Sequence, residues 1–411
     1  MIDIADSAHA ERLRDGLINE LRDLGAVRTE TVATAVRTVP RHLFVPEVTL
    51  EQAYQAERAE VTKRDDHGVA LTAVSAARIQ AFMLEQADIR PGMRVLEIGS
   101  GGYNAALIAE LVGEDGEVTT IDIDPDVVDR ALHLLRAAGY GRVNVLLADG
   151  EGGEPDHAPY DRIVVTADAA DIAPTWVDQL VEDGRLVVPL RIRGLTRSIA
   201  FQREDGHLAG QEYELCGFVP MQGAGENRER LVVLHDGAGE QVGLRLDDGQ
   251  QVDADLLREA FSQPSTQAWS GMTMGPGMPY DDLDLWLATA LPDYALLATT
   301  KQARDRGLVA SWSPLGISTL LDGDSFAYLT IRPTSPERTL FEFGAYGHGP
   351  RGRKAADRLA AEIHTWGSDH RGNRAMLRAY PAGTPDNQLP AGFVVDKRRH
   401  RITISWTHHE P

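Results

Sequence analysis

The chain has 411 residues, more than one domain usually holds, so two or more domains are expected. Its 62 acidic residues against 41 Lys and Arg leave a formal charge of −21, which excludes a general affinity for nucleic acid or for an anionic membrane surface. One cysteine, Cys216, excludes an internal disulfide, and no Cys/His cluster has zinc spacing, so no metal is expected.

The opening M-I-D-I-A-D-S lacks the basic region and apolar core of a signal peptide, and no apolar run approaches the ~20 residues of a membrane span. A cytoplasmic location without a membrane partner is therefore expected. Leu13, Leu17, Ile18, Leu21 and Leu24 recur at helical spacing and predict a surface helix over 8–24. A second helix, 29–38, ends at V-P-R-H-L-F-V-P, residues 39–46, where two prolines impose an extended, turned segment. Residues 65–84 read as a loop of small residues leading into an amphipathic helix. Thr72, Val74 and Ser75 in that loop are candidates to line a pocket, the competing reading being that Thr72 or Ser75 caps the helix.

From Pro91 strand and helix alternate: strand 94–98, helix 103–112, strand 117–122, helix 125–138, strands 143–147 and 161–166, helix 174–182, strand 184–190. This is the pattern of a doubly wound parallel sheet, an α/β Rossmann-like fold. The stretch R-V-L-E-I-G-S-G-G-Y-N-A, residues 94–105, joins a buried strand to a helix through a glycine turn that a ligand can approach closely. The second strand ends in acids, and an acid about 20 residues past such a turn is where a ribose diol is held, which selects Asp122. Glu97 directly precedes a turn spelled G-S-G-G, without the dinucleotide spacing G-x-G-x-x-G, and this favours S-adenosylmethionine over NAD. The candidate cofactor residues are Glu97, Gly99, Ser100, Gly101 and Asp122, with Asp149 and Gly150 after the 143–147 strand for the adenine. A turn or cap acid is the alternative for Asp149.

After Gly223-Ala224-Gly225, a plausible linker, the remaining residues predict a second domain, 226–411, of α+β type. Strands 230–235 and 241–246 flank D-G-A-G-E as a hairpin, 253–261 is a short helix, and 271–279 (G-M-T-M-G-P-G-M-P) is a mobile loop rich in Gly and Pro. Strands 326–332 and 339–343, a helix 354–366 and a strand 401–406 complete it. Residues 351–411 hold eleven Lys and Arg against six Asp and Glu, so a basic face with Arg371, Arg374 and Arg378 is a candidate surface for an acidic peptide, a solvated helix face being the alternative. His408-His409-Glu410 reads as tail rather than as a metal site.

V-L-E-I-G (95–99), with V-P-R-H-L-F-V-P, A-D-G-E-G (148–152), Y-D-R-I-V-V-T-A (160–167) and D-G-R-L-V-V-P-L (183–190), resembles the protein-L-isoaspartate O-methyltransferase family over residues 10 to 225, with every block in order. The resemblance implies a class I methyltransferase domain, 1–225, using S-adenosyl-L-methionine. Two departures stand out: the Gly99–Gly102 turn is one residue shorter than the family's usual form, and its Ser-Gln-Pro loop is represented here by Ser75 alone. The length, with D-x-x-G-V-A-L-T-x-V-S-A ending at Ala76 and Y-D-D-L-D-L-W-L-A (280–288), resembles the methyltransferases of the FxLD system in lanthipeptide pathways. That implies an Asp of a ribosomally made, modified precursor peptide as acceptor, the ester collapsing to succinimide and isoaspartate; isoaspartyl repair is the alternative. In either case a carboxylate is already a nucleophile near neutral pH, so the site has to align it behind the donor methyl and exclude water. Ser75 is the candidate for fixing that carboxylate, while Thr72, Val74, Thr166 and Pro189 are candidates for holding the peptide.

Overall fold

The computed structural model describes every residue except 1–3, 66, 67, 69, 228, 229, 247, 248, 277, 279, 311, 312, 314, 315 and 407–411. The His408-His409-Glu410 tail thus lies outside the described residues. A ten-stranded sheet forms the first layer. In spatial order its strands are Asn144–Leu147, Glu117–Asp122, Arg94–Ile98, Tyr160–Val165, Leu180–Ile192, Leu195–Glu204, His207–Leu215, Ala375–Pro381, His400–Trp406 and Phe393–Asp396. The first five run parallel and the rest antiparallel.

The parallel strands are apolar on both sides because helices cover both faces. Val95, Leu96, Ile163, Val164 and Val165 are fully buried. On one face lie Ala77–Ala87 and Tyr103–Val112; on the other Trp176, from the helix Pro174–Gln179, fills the core. Asp124 caps the crossover helix Pro125–Ala137 by accepting from Asp126 N at 2.9 Å, with Pro125 in the first turn. From Arg94–Ile98 the chain winds outward through two strands, then returns to place Tyr160–Val165 on the other side. The strand order reverses between these two neighbours, and a crevice opens at their carboxyl ends.

Several sequence expectations are corrected. The helix over 174–182 stops at Gln179, and Leu180–Ile192 continues as one 13-residue strand. The loop expected to carry Thr72 and Val74 is a strand: Ala70–Val74 pairs antiparallel with Glu60–Arg64 as a separate hairpin. Neither Thr72 nor Ser75 caps the next helix, whose N-cap is Ala76 without a side-chain bond.

The extension builds a second, wholly antiparallel sheet of seven strands: Arg230–Gly237, Glu240–Leu246, Tyr294–Thr299, Ile317–Asp322, Ser325–Pro333, Phe341–His348 and Thr266–Met274. Helix Gly352–Thr365 packs its Ala355, Ala356, Leu359 and Ile363 on it. The 271–279 segment expected as a loop is strand through Met274, with a register shift and Gly271 at φ +76° marking a bulge; Gly277 and Pro279 lie outside the described residues. The Tyr280–Ala288 block is structural: in helix Asp281–Ala290, Leu283 and Leu287 enter the second sheet's core and Leu285 enters the first's. The chain then returns to the first sheet, where Arg378 and Ala379 pair with Ala209 and Leu208. Among the described residues no helix is long and apolar enough to cross a membrane.

Candidate active site

The central strand ends at Ile98, and the backbone then turns sharply. Gly99 has φ +101°, a region that only glycine enters without strain, and a Cβ there would stand 2.4 Å from Thr166 Oγ1. Thr166, at the end of the neighbouring strand, has its hydroxyl 3.0 Å from both Ile98 O and Gly99 O, so it locks the turn from the side. Asp122, at the end of the other neighbour, accepts from Ser100 N at 2.9 Å and from Asp124 N at 3.0 Å. Burial raises the Asp122 carboxyl above its ordinary value.

These residues floor a cleft that is open to solvent at its mouth. Gly99, Ser100 and Gly101 form one wall with Asp122 and Ile123, and Gly150 closes it beside Ile98, whose Cγ2 would lie 2.6 Å from a Cβ at 150. Thr62 and Leu71–Val74 of the hairpin cover it, with Thr62 and Thr72 joined hydroxyl to hydroxyl at 2.7 Å. Thr166 and Ala167 face the segment Val219–Gln222 across the remainder.

The structure thus brings Gly99, Ser100, Gly101, Asp122, Gly150, Thr72, Val74 and Thr166 to one cleft and leaves four candidates outside its lining. Glu97 lies fully buried beneath the turn, where Asn104 Nδ2 donates to it at 2.8 Å and the Thr120 hydroxyl at 2.6 Å. Burial pushes its carboxyl up to about 7. Asp149 turns both oxygens to backbone, accepting from Glu151 N at 3.0 Å and from Ala224 N at 2.9 Å, and so ties the strap after Gly223 to the cleft. Pro189 is buried within its strand, and its carbonyl accepts from Ala169 N at 2.8 Å, supporting the loop after Thr166. Ser75 sits half-buried just past Val74, and its carbonyl accepts from Arg41 Nη2 at 2.7 Å.

Arg41 is the main residue missed. Buried to 1% exposure, it also donates to Gln80 Oε1 at 2.7 Å and Ala53 O at 3.0 Å, and its guanidinium lies over the Tyr103 ring. It ties the proline-flanked segment to the backbone just past the hairpin at Ser75; a lone arginine inside V-P-R-H-L-F-V-P was the available signal. Lys63, also missed, bonds Asp124 at 2.6 Å and Asp126 at 2.8 Å and pins the hairpin over the cleft. In the extension, Arg371 donates to Thr273 O and Arg374 pairs with Glu214, so two members of the expected basic face hold the fold together. Among the described residues no group of three or more His, Cys, Asp or Glu is placed to hold a metal.

A family model for protein-L-isoaspartate(D-aspartate) O-methyltransferase matches residues 12–226. The protein-L-isoaspartate O-methyltransferase of Methanopyrus kandleri is 40% identical over 215 residues, spanning 52% of this chain and 92% of the relative. That of Hyperthermus butylicus is 39% identical over 220 residues, 51% of this chain and 88% of the relative. A solved protein-L-isoaspartate O-methyltransferase shares the fold with a TM-score of 0.50 at 20% identity, across 95% of this chain and 99% of its own. That likeness of fold runs through the extension.

Proposed function

Because the chain belongs to the protein-L-isoaspartate(D-aspartate) O-methyltransferase family, whose members use S-adenosylmethionine, we propose that it methylates the free α-carboxylate of isoaspartyl residues in proteins or peptides. The observation that carries the reading is the cleft itself: a glycine turn with a half-buried acid at the switch point of a doubly wound sheet, roofed by a hairpin that ends at Val74. The residues present fit the donor. Gly99, Ser100 and Gly101 line the cleft, while Asp122 offers a carboxylate already fixed by two amides. Bound there, S-adenosylmethionine supplies a methyl group on a sulfonium centre, which a carboxylate oxygen displaces to leave a neutral thioether.

The protein's task is alignment. Gly99 to Gly101 and Gly150 set the donor wall, and Asp122 holds the turn in register. The hairpin strand Ala70–Val74 brings Ser75 to the acceptor end, held from below by Arg41. Leu71, Val74 and Val219 exclude water. Once the ester has formed, attack by the following amide nitrogen expels methanol and closes a succinimide. We further propose that residues 1–225 carry the chemistry and 226–411 shape acceptor access, that Ser75, Thr72, Val74 and Thr166 contact the acceptor, and that the enzyme works in the cytoplasm.

The matched relatives carry the isoaspartate description, so the acceptor reading moves from an aspartate of a lanthipeptide precursor to isoaspartate. Incubation with donor and an isoaspartyl peptide should add 14 mass units, followed by a species 18 below the starting peptide. Ser75→Ala should lower kcat more than it weakens S-adenosylhomocysteine binding; absence of any donor-dependent mass change would refute the function.

A further inference from the structure

The extension returns to the first sheet at the edge away from the glycine turn, yet the turn between its last two strands reaches the loops beside the cleft. Lys397 Nζ donates to Ala170 O at 2.7 Å, and Arg399 N donates to Asp171 Oδ2 at 2.7 Å. The Arg399 guanidinium pairs with Glu151, and His400 Nδ1 lies 3.4 Å from Asp171 Oδ1. The Arg399–Glu151 pair is mostly buried, with side-chain exposures of 27% and 15%.

Glu151 directly follows Gly150, the residue that closes the donor wall against Ile98. The same short turn is gripped by Trp176, whose indole N–H donates to Gly150 O at 2.7 Å, and by Asp149, which binds the strap at Ala224. Glu151 Oε2 sits so near the strap that a Cβ at Gly225 would stand 2.7 Å away. Glu151 is therefore a spoke between the donor wall, the strap and the extension. Removing its cation leaves a mostly buried carboxylate that must reach for water and carry the turn with it. The family match ends at residue 226, so this contact is one that the extension adds.

We propose that the 396–400 turn is a clasp on the donor cleft and that Arg399 is its positioning residue, acting through Glu151 on Gly150. The proposal rests on the donor-binding reading above. The test uses the full chain, with S-adenosylhomocysteine as probe in calorimetry and steady-state kinetics with an isoaspartyl peptide. Arg399→Ala should weaken S-adenosylhomocysteine by about ten-fold, the worth of one charge-assisted bond. The donor KM should rise in parallel, with the acceptor KM close to wild type. The charge swap Glu151→Arg with Arg399→Glu should recover most of the affinity. Affinity within about two-fold of wild type in Arg399→Ala would overturn the clasp while leaving the donor site intact. So would equal rises in both KM values, which mark general loosening. A wild-type protein that binds no S-adenosylhomocysteine would overturn the donor reading and the clasp together.

Discussion

Glu97 is fully buried under the glycine turn, accepting from Asn104 and Thr120, and burial lifts its carboxyl from an ordinary 4.5 to about 7. A group whose folded value is raised binds its proton more tightly in the native state. It therefore adds stability below pH 4.5 that is lost as pH rises through 7. The span between the two values is worth ~3 kcal/mol. Glu97→Gln keeps the shape and an acceptor for Asn104, turns an amide N–H toward the Thr120 hydroxyl, and cannot ionise. The variant should match wild type near pH 4.5 and exceed it by ~3 kcal/mol at pH 7.5. Guanidinium unfolding followed by tryptophan fluorescence, to which the buried Trp176 contributes, reads the difference. A difference that stays constant from pH 4.5 to 7.5 would refute the reasoning, because it would mean Glu97 is ionised in the folded protein throughout.

Gly99→Ala should cost ~1–3 kcal/mol from its φ of +101° and weaken S-adenosylhomocysteine at least ten-fold in calorimetry, with Thr166→Ala in the same chain recovering the part due to the 2.4 Å contact. Arg41→Met strands the acceptors at Ser75, Gln80 and Ala53 and should lower stability by on the order of 3 kcal/mol in denaturant unfolding. Lys63→Ala releases the hairpin from Asp124 and Asp126, so stopped-flow should show S-adenosylhomocysteine leaving several-fold faster with the melting temperature nearly unchanged.

What the sequence exposes and hides follows from where each residue finds its partners. The parallel strands and the Gly99 turn are legible because both faces of each strand are apolar and the turn residues adjoin them. Leu195–Glu204 is not, because Arg197 and Ser198 sit buried in its middle and break the pattern expected of a strand. The hairpin over the cleft is too polar and half-exposed to announce itself. Asp149 also accepts from Ala224 N, 75 residues downstream, a contact that no local pattern announces. Nothing local says that the last strands pair with Leu208 and Ala209, so the return of the extension to the donor side needed the three-dimensional fold. The candidate residues supplied by the glycine turn gathered in one cleft for the same reason the fold was readable: their neighbours in sequence are their neighbours in space.

The central claim is that this cleft delivers a methyl group to an isoaspartyl carboxylate. It is tested most directly by kcat/KM for two peptides identical except that one carries isoaspartate and the other aspartate. The account predicts saturable, donor-dependent methylation of the isoaspartyl peptide and none of its twin. Equal turnover of both, or turnover of the aspartyl peptide alone, would contradict it and return the enzyme to the modification of an unaltered aspartate.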